Sequence, residues 1–341
     1  MIRALFKRVR AYFDRGVFRA FFCREHARFA YGIGSLLIAL IVAETIVALY
    51  LNVVFGQTAD ILANHTAHTS EEFYAATRKW ILLSLANDVV IVVATSYLSK
   101  WYALRWRVAV TRYYIGAGNL PKNASQRVER DLDSFIGIFL MLATGFMSSV
   151  ITLIGFLPML WILSRGVDVG FLPRGWSDID GIIVWVLAVT CIVATAIAWA
   201  IGWFLKEIED QKREADAGLR GALVLSENHG IYPIRDHIRF SPIDHIPRVY
   251  RTQMRFFKNI AFCESWTTLY TLTIEVLPYY IGVESLFAGA ILYGTIIRIA
   301  DAFGNVKKSV SFFIENRPSF AVLQAMHKRL VELEDNLDIS S

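Results

Sequence analysis

Residues 30–55, AYGIGSLLIALIVAETIVALYLNVVF, are the most informative stretch of the chain, because about 26 residues carry a single charge, that of Glu44. Roughly 20 apolar residues cross the ~30 Å hydrocarbon core of a bilayer as a helix. Lipid cannot satisfy backbone polar groups, so such a run must complete its own hydrogen bonds. Similar runs occupy residues 80–102, 135–163, 181–205, 260–283 and 286–303. The sequence therefore predicts an all-α polytopic membrane protein with six transmembrane helices.

The distribution of Lys and Arg outside these runs predicts the topology. Basic residues number 8, 6, 10 and 5 in segments 1–29, 103–133, 206–258 and 305–341. The segments 56–79 and 164–180 carry only 2 each. Because basic loops stay in the cytoplasm, both termini are expected there. The net charge of +5 is then a topology signal, and we expect no nucleic-acid partner.

The chain is predicted to consist of three parts. Residues 1–29 alternate bulky apolar and basic side chains, which predicts an amphipathic helix on the cytoplasmic membrane surface, in contact with lipid. Residues 30–319 form the six-helix transmembrane domain, whose helices continue into the cytoplasm as two long projections. Residues 320–341 form a cytoplasmic helix and tail. The external loops are predicted at 56–72 and 165–180.

This layout resembles the transmembrane half of an ABC exporter. The sequence contains no Gly-x-x-x-x-Gly-Lys-Ser/Thr phosphate loop, and only one amphipathic helix is expected after the last span. Two energy sources stay open, an ATPase on a separate chain and an ion gradient. Neither a catalytic set nor metal-ligand spacing of His or Cys occurs, so we predict a non-enzyme without metal or cofactor.

Several motifs occur together in the order of one known family. They are LRWR (104–107), YY (113–114) and QRV (126–128) on the first projection, TLIGFLP (152–158) in the third span, and FAGAI (287–291) and AFGNV (302–306) around the last span. In combination they resemble the SbmA/BacA family of bacterial inner-membrane peptide-antibiotic transporters. The resemblance implies a homodimer that takes up cationic or antibiotic-like peptides with the proton gradient.

The sequence departs from this family at a position relevant to proton coupling. Leu140 stands where the family has a glutamate in the third span. Acidic family positions are matched on the second projection by Asp216 and Glu227. The family's upstream hydrophobic segment has no counterpart here, and Arg298 stands where Gln is usual. Proton coupling is therefore expected to depend on other acids.

The fifth span carries polar residues on one helical face. They are Glu264, Thr268, Thr271, Glu275 and Tyr279. Ionisable residues inside a membrane usually face a cavity or a partner. The candidates for proton coupling are Glu275, Glu227, Asp216 and Glu264. A solvated position at the membrane boundary is an equally good interpretation for Glu264.

Other charged and polar residues of the spans are candidates for a substrate cavity. They are Glu44, Asp88, Arg298, Asp301 and Thr271. Arg298 and Asp301 are three residues apart, so a local ion pair that stabilises the helix is an alternative to a role in transport. Either Glu44 or Asp88 is a possible partner for Arg298 across the bundle.

Five residues of the first projection are predicted to be structural. Arg105, Trp106 and Arg107 mark the cytoplasmic end of the second span, where aromatic and basic residues commonly lie. Arg127 and Asp131, four residues apart, are expected to form an ion pair on one helical face.

Overall fold

The computed structural model describes residues 16–23, 25–116, 127–165, 167, 169, 180–229 and 242–338, and these are almost entirely helical. The helices are α1 (Gly16–Phe22), α2 (Ala27–Ala63), α3 (Ser70–Leu85), α4 (Val92–Gly116), α5 (Leu132–Leu163), α6 (Ile182–His229), α7 (Pro242–Phe287), α8 (Tyr293–Glu315) and α9 (Arg317–Asp338). A π-helical turn, Ala86–Ile91, joins α3 to α4, and a second one, Arg127–Asp131, precedes α5. The all-helical prediction is confirmed for the described residues.

Three helices within the described residues are long and apolar enough to cross a membrane. They are Ala27–Ala63, the continuous helix Ser70–Gly116, and Val128–Leu163. A shorter apolar stretch, Ile182–Ile197, begins α6. The fifth and sixth predicted runs lie in α7 and α8, which are helical but more polar. The count of six spans stays a prediction.

The structure shifts two boundaries relative to the sequence-based prediction. Helix α2 continues to Ala63, and α3 begins at Ser70, where the Thr69 hydroxyl caps it by accepting the Glu72 N–H at 3.4 Å. The loop predicted at 56–72 is therefore much shorter. The last predicted run is interrupted before Tyr293, at a turn in which Gly289 adopts a φ of 71°. Such a conformation favours glycine and ends the preceding helix.

The chain divides into two compact units. The first comprises Met1–Val184 and Pro278–Ser341, and the second comprises Trp185–Leu277. In the first unit α8 packs against both α2 and α5, while α9 lies along α5. In the second unit a salt bridge of 2.9 Å joins Arg248 to Glu214, which ties the projecting parts of α6 and α7 together.

An aromatic cluster at one end of the first unit joins α1 to α4 and α5. The ring of Trp106 is fully buried and lies 5.5 Å from Phe18 and 5.6 Å from Phe21. Its Nε1–H also donates to the Val17 carbonyl at 2.9 Å. The described part of the predicted amphipathic helix therefore packs its apolar face against protein. The surface position predicted for residues 1–15 lies outside the described residues.

The buried carboxylate of Glu334 in α9 holds three distant parts of the first unit together. It accepts the backbone N–H of Gly16 at 3.1 Å and that of Val17 at 2.8 Å. It also accepts the Tyr114 hydroxyl at 2.8 Å. Because a buried polar group left unpaired costs about 1–3 kcal/mol, these bonds fasten α1 and α4 to the C-terminal helix.

Candidate functional site

A polar cavity of about 260 Å³ lies between α2, α5 and α8 in the first unit. Helix α2 contributes Glu44, Thr45 and Ala48. The wall from α5 consists of Ser148, Ser149, Thr152 and Phe156, and that from α8 consists of Asn305, Lys308 and Ser309. Eight of these ten side chains carry hydroxyl, amide or charged groups, although α2 and α5 are among the most apolar helices of the chain.

Small residues allow the three helices to approach around the polar cavity. A Cβ atom added at Gly155 of α5 would lie only 3.0 Å from Leu49 and 3.3 Å from Thr45 of α2. A Cβ atom at Gly145 would collide with the ring of Phe312 in α8. The helices are in close contact at these two glycines. The short side chains of Ser148, Ser149 and Thr152, which lie between the glycines in α5, line the polar cavity and do not fill it.

Two of the cavity hydroxyl groups, those of Thr45 and Ser309, bond to their own helices and keep acceptor capacity. Thr45 donates to the Ile41 carbonyl at 3.1 Å, and Ser309 donates to the Asn305 carbonyl at 2.9 Å. A hydroxyl that donates to its own helix still has lone pairs with which to accept. The wall can therefore bind N–H and O–H donors of a ligand without any helix losing a hydrogen bond.

Two opposite charges occupy different helices of the polar cavity. The Glu44 carboxylate belongs to α2 and is half-buried, whereas the Lys308 ammonium belongs to α8 and is exposed. The salt bridges between described residues do not include a pair between these two groups. Both charges are therefore available to a ligand that carries a cation and an anion.

A hydrogen-bonded network continues from the cavity along the same pair of helices. Asn52 is fully buried, and its Nδ2 donates to the Asp301 carboxylate at 2.7 Å and to the Arg298 carbonyl at 3.0 Å. Its Oδ1 accepts from Arg298 Nε at 3.3 Å. Because the amide both donates and accepts, Asn52 bridges the two charged residues that the sequence analysis considered as a direct local pair.

The far end of this network is a close crossing of α2 and α8. The Asp60 carboxylate accepts the Gly294 N–H at 2.6 Å, which satisfies an unpaired donor in the first turn of α8. A Cβ atom at Gly294 would collide with the carbonyl of Gly56. Asp60 of α2 contacts Gly294 of α8, Asn52 contacts Asp301, and Glu44 lies near Lys308. Because residue numbers fall along α2 as they rise along α8, the two helices are antiparallel.

The structure places the predicted cavity residues at different sites. Glu44 lines the polar cavity, and Arg298 and Asp301 belong to the adjoining network. Asp88 is exposed on the π-helical turn and accepts from the Asn87 amide at 3.1 Å, so it is not the partner of Arg298. Thr271 belongs to the second unit.

The residues predicted for proton coupling all lie in the second unit and have exposed side chains. They are Glu275, Glu227, Asp216 and Glu264. The Glu264 carbonyl accepts the hydroxyl of Thr268 at 2.8 Å, as expected for neighbours on the polar face of α7. Leu140 is a partly buried neighbour of the aromatic cluster in the first unit.

The predicted structural residues of the first projection have distinct contacts. Arg107 forms a salt bridge of 2.9 Å with Asp133, and Trp106 belongs to the aromatic cluster. Arg105 is exposed. Asp131 is buried and lies 3.6 Å from Arg329 of α9. The side chain of Arg127 lies outside the described residues, so its pairing with Asp131 stays a prediction.

Most of the cavity wall was not predicted from the sequence. Lys308 and Asn305 were assigned to the cytoplasm, because charged and amide residues end the last apolar run. The structure places them beside the middle of α2, and their side of the membrane stays a prediction. A usable signal was present in α5, where Ser148, Ser149 and Thr152 form a polar patch inside an otherwise apolar helix.

Apolar helices around a polar, charged cavity are the arrangement of a helical membrane transporter. The family comparison agrees with this class, because the SbmA/BacA-like family matches residues 23–338. The chain belongs to the SbmA/BacA-like family. The resemblance noted in the sequence motifs is thereby confirmed.

Several curated relatives are named as ABC transporters. The chain is 24% identical over 272 residues to the inner membrane ABC transporter ATP-binding protein YddA of Escherichia coli, covering 74% of this chain and 48% of YddA. It is 22% identical over 317 residues to the chloroplastic ABC transporter D family member 2 of Arabidopsis thaliana, covering 88% of this chain and 43% of that protein. The chain thus spans less than half the length of these relatives.

Proposed function

We propose that this transporter takes up peptides or peptide-like antibiotics across the bacterial inner membrane, driven by the proton gradient. The observation that carries the proposal is the polar cavity between α2, α5 and α8, which presents a carboxylate and an ammonium group in a membrane helix bundle. Intramembrane charges are costly and are usually kept for a transported ligand or ion. Membership in the SbmA/BacA-like family supports the same substrate class.

The chemistry of the cavity fits the ends of a peptide. A protonated amino terminus or cationic side chain would bind Glu44, and a carboxylate would bind Lys308. The hydroxyl groups of Ser148, Ser149 and Thr152 would accept or donate hydrogen bonds along the peptide backbone. A cavity of about 260 Å³ accommodates only part of a long peptide, so it would act as one subsite of a larger path.

Uptake by proteoliposomes tests this function directly. Vesicles that contain the purified full chain are expected to accumulate a labelled cationic peptide when the outside is acidic, and much less without a pH gradient. Addition of an uncoupler should abolish the accumulation. Protein-free vesicles are the control, and gradient-independent uptake would contradict proton coupling.

The acids of α6 and α7 are the candidates for proton transfer. We expect Glu275→Gln and Glu227→Gln each to abolish gradient-driven uptake, since an amide cannot carry a proton. Asp216→Asn should have a smaller effect, because Glu214 is two residues away on the same exposed projection. Glu264 is the fourth candidate, and its amide variant belongs in the same series. Wild-type rates in both glutamine variants would exclude coupling through those two residues.

The alternative function is that of a membrane subunit whose energy comes from an ATPase. It is favoured by the names of the curated relatives, which describe ATP-binding proteins. In this case uptake would require ATP, be inhibited by vanadate, and persist when an uncoupler is added. The proteoliposome assay separates the two energy sources.

Assembly and orientation complete the proposal. A cyclic dimer, the commonest symmetric assembly, would place two polar cavities in one transporter. Native mass measurement in detergent should give two chains per particle.

In a variant without native cysteines, Ala67→Cys in the exposed turn after α2 should react with an external membrane-impermeant label, and Arg220→Cys should not. The reverse pattern would contradict cytoplasmic termini.

A further inference from the structure

A second cavity, separate from the polar one, lies where α1, α2 and α4 meet in the first unit. Its volume is about 290 Å³, near the lower limit of typical ligand pockets. Three basic side chains line it, those of His26, Arg105 and Arg112. We call it the basic cavity.

Aromatic rings form the apolar wall of the basic cavity. The rings of Phe29 and Trp101 meet edge to face, with centroids 4.9 Å apart. The guanidinium of Arg105 lies 5.5 Å from the Phe29 ring, and His26 stacks on Phe21 at 6.5 Å. The contact with the Phe29 ring orients the Arg105 guanidinium without neutralising its charge.

The positive charge of the basic cavity has no acidic counterpart among its lining residues, which include neither Asp nor Glu. The salt bridges between described residues do not involve Arg105 or Arg112. Arg105 and Arg112 thus bring two positive charges to one cavity without an acidic lining residue to neutralise them. The site therefore favours an anionic ligand that both guanidinium groups can contact.

The position of the basic cavity along the helices indicates where that ligand comes from. Phe29 immediately precedes the apolar run 30–55, and Trp101 lies at the end of the run 80–102. Arg105 and Arg112 follow about 6 and 16 Å further along α4. Helical side chains lean toward the N-terminus, so Arg112 leans back toward the membrane. This is the level of lipid headgroups, with aromatic rings on the apolar side and arginines on the aqueous side.

We propose that the basic cavity binds the phosphate headgroup of an anionic phospholipid, with Arg105 and Arg112 as its ligands and Phe29 and Trp101 beside the upper acyl chain. Guanidinium groups bind phosphate oxygens through paired N–H donors, which favours two arginines at one site. Basic pockets between transmembrane helices bind anionic lipids in this way. The bound lipid would join α1 to α2 and α4.

Native mass spectrometry of the full chain in detergent tests the proposal. The probes are dioleoylphosphatidylglycerol, the zwitterionic dioleoylphosphatidylcholine and the soluble glycerol 3-phosphate. We expect phosphatidylglycerol to bind the wild-type protein more tightly than phosphatidylcholine. Because each basic group contributes appreciably near an anionic headgroup, Arg105→Gln with Arg112→Gln should weaken phosphatidylglycerol binding about tenfold.

The matched control removes two positive charges elsewhere. Arg255 and Lys258 are exposed on α7, close to the start of the run 260–283. Their replacement by Gln should leave phosphatidylglycerol affinity unchanged. Arg112→Gln alone, at an exposed position that leaves the aromatic cluster intact, should weaken binding severalfold.

Three results would overturn the proposal. One is equal affinity of the wild-type protein for phosphatidylglycerol and phosphatidylcholine. Another is an equal loss of affinity in the control pair, which would indicate a general surface charge effect. The third is displacement of the lipid by glycerol 3-phosphate at similar concentration, which would identify a soluble phosphate compound as the ligand. None of these measurements depends on transport, so failure here would leave the proposed uptake function standing.

Discussion

Glu44→Gln is expected to lower the uptake of a cationic peptide by at least about tenfold and to remove its dependence on a free amino terminus. Hydrogen bonds to charged groups contribute about 1.5–3 kcal/mol, and 1.4 kcal/mol is a factor of ten in affinity. Glu44 is the acidic residue of the polar cavity wall, so its amide leaves a cationic ligand group without a counter-charge. Initial uptake rates in proteoliposomes, measured as a function of peptide concentration, give the effect.

Peptides with blocked ends distinguish the role of Glu44 from that of Lys308 in the polar cavity. Wild-type protein should take up a peptide with a free amino terminus faster than its acetylated form, and Glu44→Gln should abolish this difference. Lys308→Gln should instead abolish the difference between a free and an amidated carboxyl terminus. Glu71, exposed near the start of α3, provides a control, since Glu71→Gln removes a carboxylate outside the cavity. If Glu44→Gln preserved both the rate and the discrimination, the cavity would not bind substrate.

The second large effect concerns stability, where Trp106→Ala is expected to cost about 3–5 kcal/mol. The indole is fully buried among α1, α4 and α5 and packs against Phe18, Phe21 and Phe139. Its removal leaves a cavity and also deletes the hydrogen bond to the Val17 carbonyl. Reversible unfolding in mixed detergent micelles, followed by circular dichroism, measures the change in the free energy of unfolding.

Two comparison variants divide this loss into packing and hydrogen bonding. Trp106→Phe keeps an aromatic ring and removes the N–H donor, so it should cost about 1 kcal/mol for the hydrogen bond plus the smaller ring's lost packing. Trp185→Ala removes an indole that is 55% exposed, and should change the free energy of unfolding by no more than about 0.5 kcal/mol. Similar losses in Trp106→Ala and Trp185→Ala would show that the aromatic cluster does not stabilise the fold.

Much of the architecture follows from local sequence. Apolar runs of sufficient length, such as 30–55 and 135–163, must be helical in lipid whatever their neighbours are. The family could also be predicted from the sequence, because its recognition depends on short motifs in a fixed order rather than on tertiary contacts. Glu44 was recognisable as a candidate, since a lone carboxylate in an apolar run is costly without a function.

The boundaries of α8 were harder to predict from the sequence, because hydropathy measures the composition of a segment and not the depth of its residues in the membrane. Lys308, Asn305 and Ser309 are typical of a segment beyond the membrane, and the sequence analysis placed them there. The structure shows that α8 begins only at Tyr293 and lies antiparallel to α2, so these residues face its middle. Their polar side chains border the polar cavity, and their depth in the membrane stays a prediction.

The helical fold, the membrane class and the family of the chain all follow from the sequence, since each depends on length, composition or the order of short motifs. Which polar residues act together depends on tertiary contacts. Asn52 joins Arg298 to Asp301, and Glu334 joins α9 to Gly16 and Tyr114. Residues separated by more than two hundred positions meet only where helices cross, and crossings depend on side-chain fit at positions such as Gly56 and Gly294. No local pattern encodes that fit.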